Sequence, residues 1–239
     1  MVYRIIRTID HMTDIALVLF FLLLFLIGGY TMYDTMLIYN QAGGDNLSSF
    51  RPAVVENGES PGWDMGALSE DVVAWLTVDG TAIDYPVMQG EDNNEYLNKD
   101  PFGKYSLSGS IFLDSRNASD FTDPYSLIYG HHMEYGKMFG ALDEFLDADY
   151  FAAHRTGTLT VSDTVYYIEF FACLDADASI EEIFAPTETN GTLKYVRENA
   201  LIWYEPDGER LIALSTCKFP LTTERVIVFG VLKNEKDMA

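Results

Sequence analysis

Residues 15–32 read IALVLFFLLLFLIGGYTM, 18 positions without a charged side chain. A helix rises 1.5 Å per residue, so about 20 such residues cross the roughly 30 Å hydrocarbon layer of a bilayer. In that layer every backbone N–H and C=O must bond internally, and a helix is the single-pass solution. Arg4 and Arg7 precede the run, and no Lys or Arg follows it until Arg51. Basic residues stay on the cytoplasmic side, which predicts a cytoplasmic N-terminus and an exported remainder. A cleaved leader would have an apolar core of about 7–15 residues and a small-x-small site. This run is longer, and GGYTMYDTM offers no Ala-x-Ala site. The expectation is an uncleaved anchor over 1–34, held in membrane lipid and localised to the cell membrane.

Beyond the anchor the chain is acidic. The whole sequence has 37 Asp and Glu against 15 Lys and Arg, a formal charge of -22. Such a field repels phosphate backbones and excludes a nucleic-acid partner. With 48% hydrophobic and 22% charged residues, the 239-residue chain is globular rather than disordered. Its two cysteines are too few for a disulfide framework or a Cys-based zinc site. Residues 35–70 are rich in Gly, Ser, Asn and Pro and read as a stalk and lead-in, with a helix around 33–41 continuing from the membrane. Ser69 begins a turn before the first strand. Residues 71–239 form the exported domain.

That domain is mainly β. Segments 72–78 and 82–88 flank Asp79-Gly80, and segments 158–161 and 164–174 flank Ser162-Asp163, both hairpin signals. Segments 109–114, 126–132, 210–217 and 225–232 complete a set of eight. Eight antiparallel strands commonly close into a barrel, which removes exposed edges. Residues 137–151 place Phe139, Leu142, Phe145 and Leu146 at helical spacing, and 192–201 places Leu193, Val196 and Ala200 on one face of a second helix. The latter lies in a long insertion between the sixth and seventh strands.

The chemistry-bearing residues are few. Cys173 lies mid-strand among bulky apolar residues and reads as core. Cys217 ends the strand LIALSTC, and Arg225 opens the next one eight residues later. If the loop between joins antiparallel neighbours, Arg225 returns beside Cys217, where a guanidinium stabilises a thiolate or an oxyanion. His131 and His132 lie in SLIYGHHM, and adjacent strand residues point to opposite faces, so one of them faces the cysteine as acid–base. His154 reads as a surface or capping residue. No metal spacing, HExxH or P-loop motif is present, so neither a metal nor another cofactor is expected.

YGHHM, then LSTC, then Arg eight residues on, behind a membrane anchor, resembles the sortase family. QGEDNNEYLNKDPFGKYSLSGSIFLDSRN (89–117), IYGHHMEYGKMFGAL and the long insertion are similar to class B. The resemblance covers about residues 70–233. It implies an eight-stranded sortase-type barrel with N-terminal helices, and a cysteine transpeptidase outside a Gram-positive membrane. It assigns Cys217 as nucleophile, His131 as catalytic histidine and Arg225 as catalytic arginine. Ser215 and Thr216 match positions at the peptide groove, and Asn93, Asn94 and Tyr129 are further groove candidates. Lys218 departs from an acidic residue often found after the cysteine in this class, which bears on substrate contacts. The implied partners are surface proteins carrying a C-terminal sorting signal, and an amine from a peptidoglycan precursor or a pilin. The competing readings are a papain-like or cell-wall cysteine hydrolase and a non-catalytic binding module. The first usually places Cys before His, with the Cys at a helix N-terminus; the second predicts no thiol-dependent activity.

Overall fold

The computed structural model describes residues 2–42, 47–52, 66, 68–186, 191–217 and 223–234, with the backbone alone at 2, 40, 41 and 217. The chain divides into two compact units, Met1–Asn40 and Gln41–Ala239. The first is one helix, α1 (Val2–Gln41), long and apolar enough to cross a membrane. Of the expected stalk, much of 43–67 lies outside the described residues. Leu47 and Ala42 are buried in the second unit's core, and the Tyr85 hydroxyl donates to the Ala42 carbonyl (3.2 Å).

All eight expected strands form: β1 (Val72–Val78), β2 (Asp84–Met88), β3 (Ile111–Leu113), β4 (Tyr125–Gly130), β5 (Thr156–Val161), β6 (Thr164–Asp177), β8 (Leu211–Cys217) and β9 (Glu224–Lys233). A two-residue strand, β7 (Ile202–Trp203), adds to β6 at Ala172 and Cys173. The pairing order is β5-β1-β2-β3-β4-β8-β9-β6, and β6 pairs back onto β5, so the eight strands close into a barrel. The 14-residue β6 makes closure possible: residues 164–169 pair with β5 while 167–177 pair with β9.

The barrel is not wholly antiparallel as expected. β2 pairs with β3, and β4 with β8, in parallel. Parallel neighbours need long crossovers rather than hairpins, and here the connections run through 89–110 and 131–210. The first carries a short 3-10 turn (Glu95–Leu97). The second carries the expected insertion, 178–210, with α3 (Glu181–Phe184), α4 (Thr192–Asn199) and β7.

Two layers of core explain why the late strands read as continuous apolar runs. Ile212 and Leu214 of β8 and Val226 and Val228 of β9 belong to the barrel's main cluster with Phe170, Ile128 and Leu76. Their alternates, Ala213, Ile227 and Phe229, pack on the opposite face with Ile183 of α3 and Val196 of α4. The insertion therefore covers a second apolar sheet face, as strands buried on both sides require. Leu193, expected on the packed face of α4, is instead 41% exposed, while Val196 is fully buried.

The expected helix over 137–151 is broken. A 3-10 stretch (Gly140–Leu146) is followed by α2 (Ala148–Ala153), with Asp147 between them accepting from the Asp149 and Tyr150 N–H groups. Phe139, Leu142 and Phe145 recur every third residue, which is the 3-10 repeat, and all three are buried. Positive φ at Tyr135, Gly136 and Met138 prevents a helix from starting earlier. His154 caps α2, its Nδ1–H donating to the Tyr150 carbonyl (2.8 Å).

Cys173 is a free thiol at the core of β6 with no exposed surface, and burial drives its pKa far up. Alkylation of the folded protein with iodoacetamide at neutral pH should leave Cys173 unmodified, and denaturant should release it, as read by peptide mapping. The carboxylates predict acid behaviour. The Ser179 side chain and the Thr223 hydroxyl lower Asp177 to about 2, and the Tyr96 hydroxyl holds Asp71 below its ordinary 3.8. A depressed folded-state pKa contributes stability above the unfolded value and loses it as pH falls through the folded one. Thermal melts should therefore show a Tm that is flat above about pH 5 and falls between about pH 4 and 2.

Candidate active site

Three adjacent strands end together. In the register of β4, β8 and β9, Tyr129 lies opposite Ser215, which lies opposite Ile227; Gly130 lies opposite Thr216, which lies opposite Val226. The next rung pairs Cys217 with Arg225. His131 is the residue after Gly130, the last β4 residue paired with β8, and Cys217 is the residue after Thr216, its partner. The loop 218–222 that returns the chain to Arg225, Lys218 included, lies outside the described residues.

A groove of about 260 Å³ opens at this end. His131 and Arg225 line it, with Tyr129, Gly130, Ser215 and Thr216 from the same strands. Asn93 and Leu97 from the β2–β3 connection, Phe112 of β3, and Ala178 and Phe184 from the insertion complete it. Asn94 does not line the groove. It is exposed, and its backbone N–H donates to the Asp92 carboxylate (2.7 Å).

The two histidines have different surroundings. His131 Nε2 lies 2.8 Å from the Leu97 carbonyl, which can only accept, so that nitrogen carries the proton. His132 faces Asp143 instead, its Nε2 2.7 Å from Oδ2, and does not line the groove. The turn that presents Leu97 is itself held. Lys99 pairs with Glu95 (2.6 Å) and Asp71 (3.5 Å), and the Tyr96 hydroxyl donates to Asp71 (2.6 Å). Gly130 is required just before His131, because a Cβ there would sit 2.7 Å from the Phe139 ring. The Phe139 N–H donates back to the His131 carbonyl (3.1 Å).

The groove's polar inventory is short. Ser215 Oγ and Thr216 Oγ1 are buried and without a hydrogen-bond partner among the described residues. Buried hydroxyls of this kind cost free energy until something bonds them. Arg225, half-buried, donates from Nη1 to the Glu224 carbonyl (3.1 Å). Among the described residues no cluster of three His, Cys, Asp or Glu is arranged to hold a metal.

One buried acid was not legible in the sequence. Asp114 follows β3, and its side chain has no exposed surface. Its carboxylate accepts from the Arg116 side chain (2.7 and 2.8 Å), the Arg116 backbone N–H (3.0 Å), Asn93 Nδ2 (2.9 Å) and the Tyr129 hydroxyl (3.0 Å). Burial alone would raise its pKa. The Arg116 and Asn93 hydrogen bonds outweigh burial and hold it below the ordinary value.

Comparison with known proteins agrees with this arrangement. The Sortase domain model matches residues 76–233. Sortase B of Listeria monocytogenes is 36% identical over 178 residues, 71% of this chain and 72% of its own. A Streptococcus pyogenes class B sortase involved in pilus biogenesis is 42% identical, with a TM-score of 0.65 over 70% of this chain and 95% of that one. A Staphylococcus aureus sortase B–substrate complex matches at 25% identity and a TM-score of 0.64, over 70% of this chain and 82% of that one. A closed eight-strand barrel, a groove at the ends of β4, β8 and β9, and a domain match across most of the second unit lead to one conclusion: this chain belongs to the sortase family of cysteine transpeptidases, with class B sortases as its relatives.

Proposed function

We propose that this sortase cleaves a C-terminal sorting signal after Thr, with Cys217 as nucleophile, Arg225 as oxyanion donor and His131 as acid–base, and passes the acyl group to an amine. The observation that carries the reading is the pairing of Cys217 with Arg225, one position beyond the Gly130–Thr216 pair, beside a groove that His131 and Arg225 line.

A thiol of ordinary pKa near 8.5 is mostly protonated at neutral pH, and the guanidinium favours its anion. The Cys217 thiolate adds to the Thr carbonyl carbon. The resulting oxyanion is held by Arg225, the cation lining the groove. His131 Nε2–H is committed to the Leu97 carbonyl, so Nδ1 is the nitrogen that exchanges protons. Nδ1 takes the thiol's proton as the thiolate forms and gives it to the leaving amine as the C–N bond breaks, leaving a thioacyl enzyme. An incoming amine then attacks that thioester, Nδ1 takes its proton, and Cys217 leaves as the thiolate. Ser215, whose hydroxyl has no hydrogen-bond partner among the described residues, binds the peptide with Asn93, Tyr129 and the Thr216 backbone.

The amine belongs to another surface protein or to a peptidoglycan precursor. The 42% identity to a class B sortase involved in pilus biogenesis favours the first. Helix α1 anchors the enzyme with its N-terminus in the cytoplasm and its domain outside. Substrates tethered by their own apolar tails then meet it at a raised effective concentration.

A fluorogenic sorting-signal peptide, with and without an added amine, tests this. Cys217→Ala should reduce cleavage to background, and cleavage at the parent rate would refute the assignment. Arg225→Ala should lose about 100-fold or more in kcat. Histidine variants give a second check. His131→Ala should lose about 100- to 10,000-fold, while His132→Ala keeps most of its turnover; the reverse order would move the acid–base role to His132.

A further inference from the structure

Three walls of the groove come from parts of the chain far apart in sequence: Asn93 from the β2–β3 connection, Tyr129 from β4 and Phe184 from the insertion. All three are tied to Asp114 and Arg116. Asn93 Nδ2 and the Tyr129 hydroxyl both donate to Asp114 Oδ2 (2.9 and 3.0 Å). Arg116 grips the same carboxylate with Nε and Nη2, and its Nη2 also reaches the Phe184 carbonyl (2.7 Å).

Each tie removes a freedom that a bound peptide would otherwise have to remove. The Asn93 amide is held at both ends, since its Oδ1 accepts the Ser115 N–H (2.7 Å). Flipping that amide would set its oxygen against the carboxylate, so its orientation is fixed. One N–H and one lone pair remain, the complement of a peptide group. Helix α3 is one turn long, and among the described residues the carbonyls of Glu182, Ile183 and Phe184 have no helical partners. Thr192 Oγ1 (2.6 Å), the Tyr125 hydroxyl (2.9 Å) and Arg116 Nη2 (2.7 Å) satisfy them one each. Arg116 is thus a cap that fastens Phe184, one of the insertion's two groove-lining residues, to the barrel.

We infer that Asp114 and Arg116 are a positioning pair that presets the three walls of the peptide groove, so that they govern peptide affinity and leave the thiol chemistry alone. The inference rests on the proposed function for its substrate, a sorting-signal peptide. Its geometric half, the fastening of α3, stands apart from that reading.

The test uses the full chain in detergent, with Arg116→Ala, Arg116→Lys, and Arg197→Ala as a control on the exposed face of α4. Arg116 is 44% exposed at its side chain, so its truncation leaves the core packing intact. Arg116→Ala should raise KM for the peptide about tenfold, the worth of a charged hydrogen bond, with kcat and the rate of Cys217 alkylation within about twofold. Arg116→Lys cannot span both Asp114 and the Phe184 carbonyl, and should fall between the two. Amide hydrogen exchange at Phe184 and Ala185 should quicken in Arg116→Ala and not in Arg197→Ala. Unchanged KM and unchanged exchange would overturn the inference. A fall in kcat together with slower alkylation would also overturn it, by placing Arg116 in the chemistry. If the parent cleaves no sorting peptide, the functional proposal fails while the exchange measurement still decides whether Arg116 fastens the insertion.

Discussion

The register of β4, β8 and β9 is the constraint on which the site depends. Each strand advances about 3.3 Å per residue, and a slip by one residue turns every side chain to the other face. Such a slip is costly here because both faces are packed. Ile212 and Leu214 belong to the barrel's main cluster, and Ala213 packs with the insertion's residues. A slip by two would keep the faces but carry Cys217 about 6.6 Å along its neighbours, away from the rung with Arg225. Packing over residues 211–216 therefore sets, at a distance, which side chains share the groove end of the barrel.

The same double burial explains a long insertion between β6 and β8. A sheet face carrying Leu127, Ala213, Ile227 and Phe229 cannot be left to water, and the insertion covers it with Ile183 and Val196. The helices that do so are too short to persist alone, at four and eight residues. They are helical because they are docked. In docking they bring Ala178 and Phe184 to the groove, so one segment shields the core and builds the site.

Much of this was legible in the sequence, for local reasons. Runs of β-branched and aromatic residues marked all eight barrel strands, and Asp79-Gly80 and Ser162-Asp163 marked two hairpins, with φ of 74° at Gly80 and 50° at Ser162. What was not legible depends on distant partners. Nothing local in IFL or YSLIYG says that the neighbouring strand will run parallel. The spacing of Phe139, Leu142 and Phe145 suits a helix and a 3-10 turn alike, and the backbone at Tyr135 and Met138 decides it. Within the site, Cys217, Arg225 and the Gly-His step stood out by residue type and spacing. Asp114 did not, because one acid in a chain with 37 reads as solvated surface.

That buried acid bears on the groove's electrostatics. An unpaired carboxylate with no exposed surface would carry the full cost of leaving water. Arg116, bonded to both oxygens of Asp114, cancels that charge where it arises. A neutral residue in place of Asp114 would avoid the charge but could not accept from Arg116, Asn93 and Tyr129 together. The paired acid therefore provides several acceptor sites at no net charge, and these fix the walls of the groove.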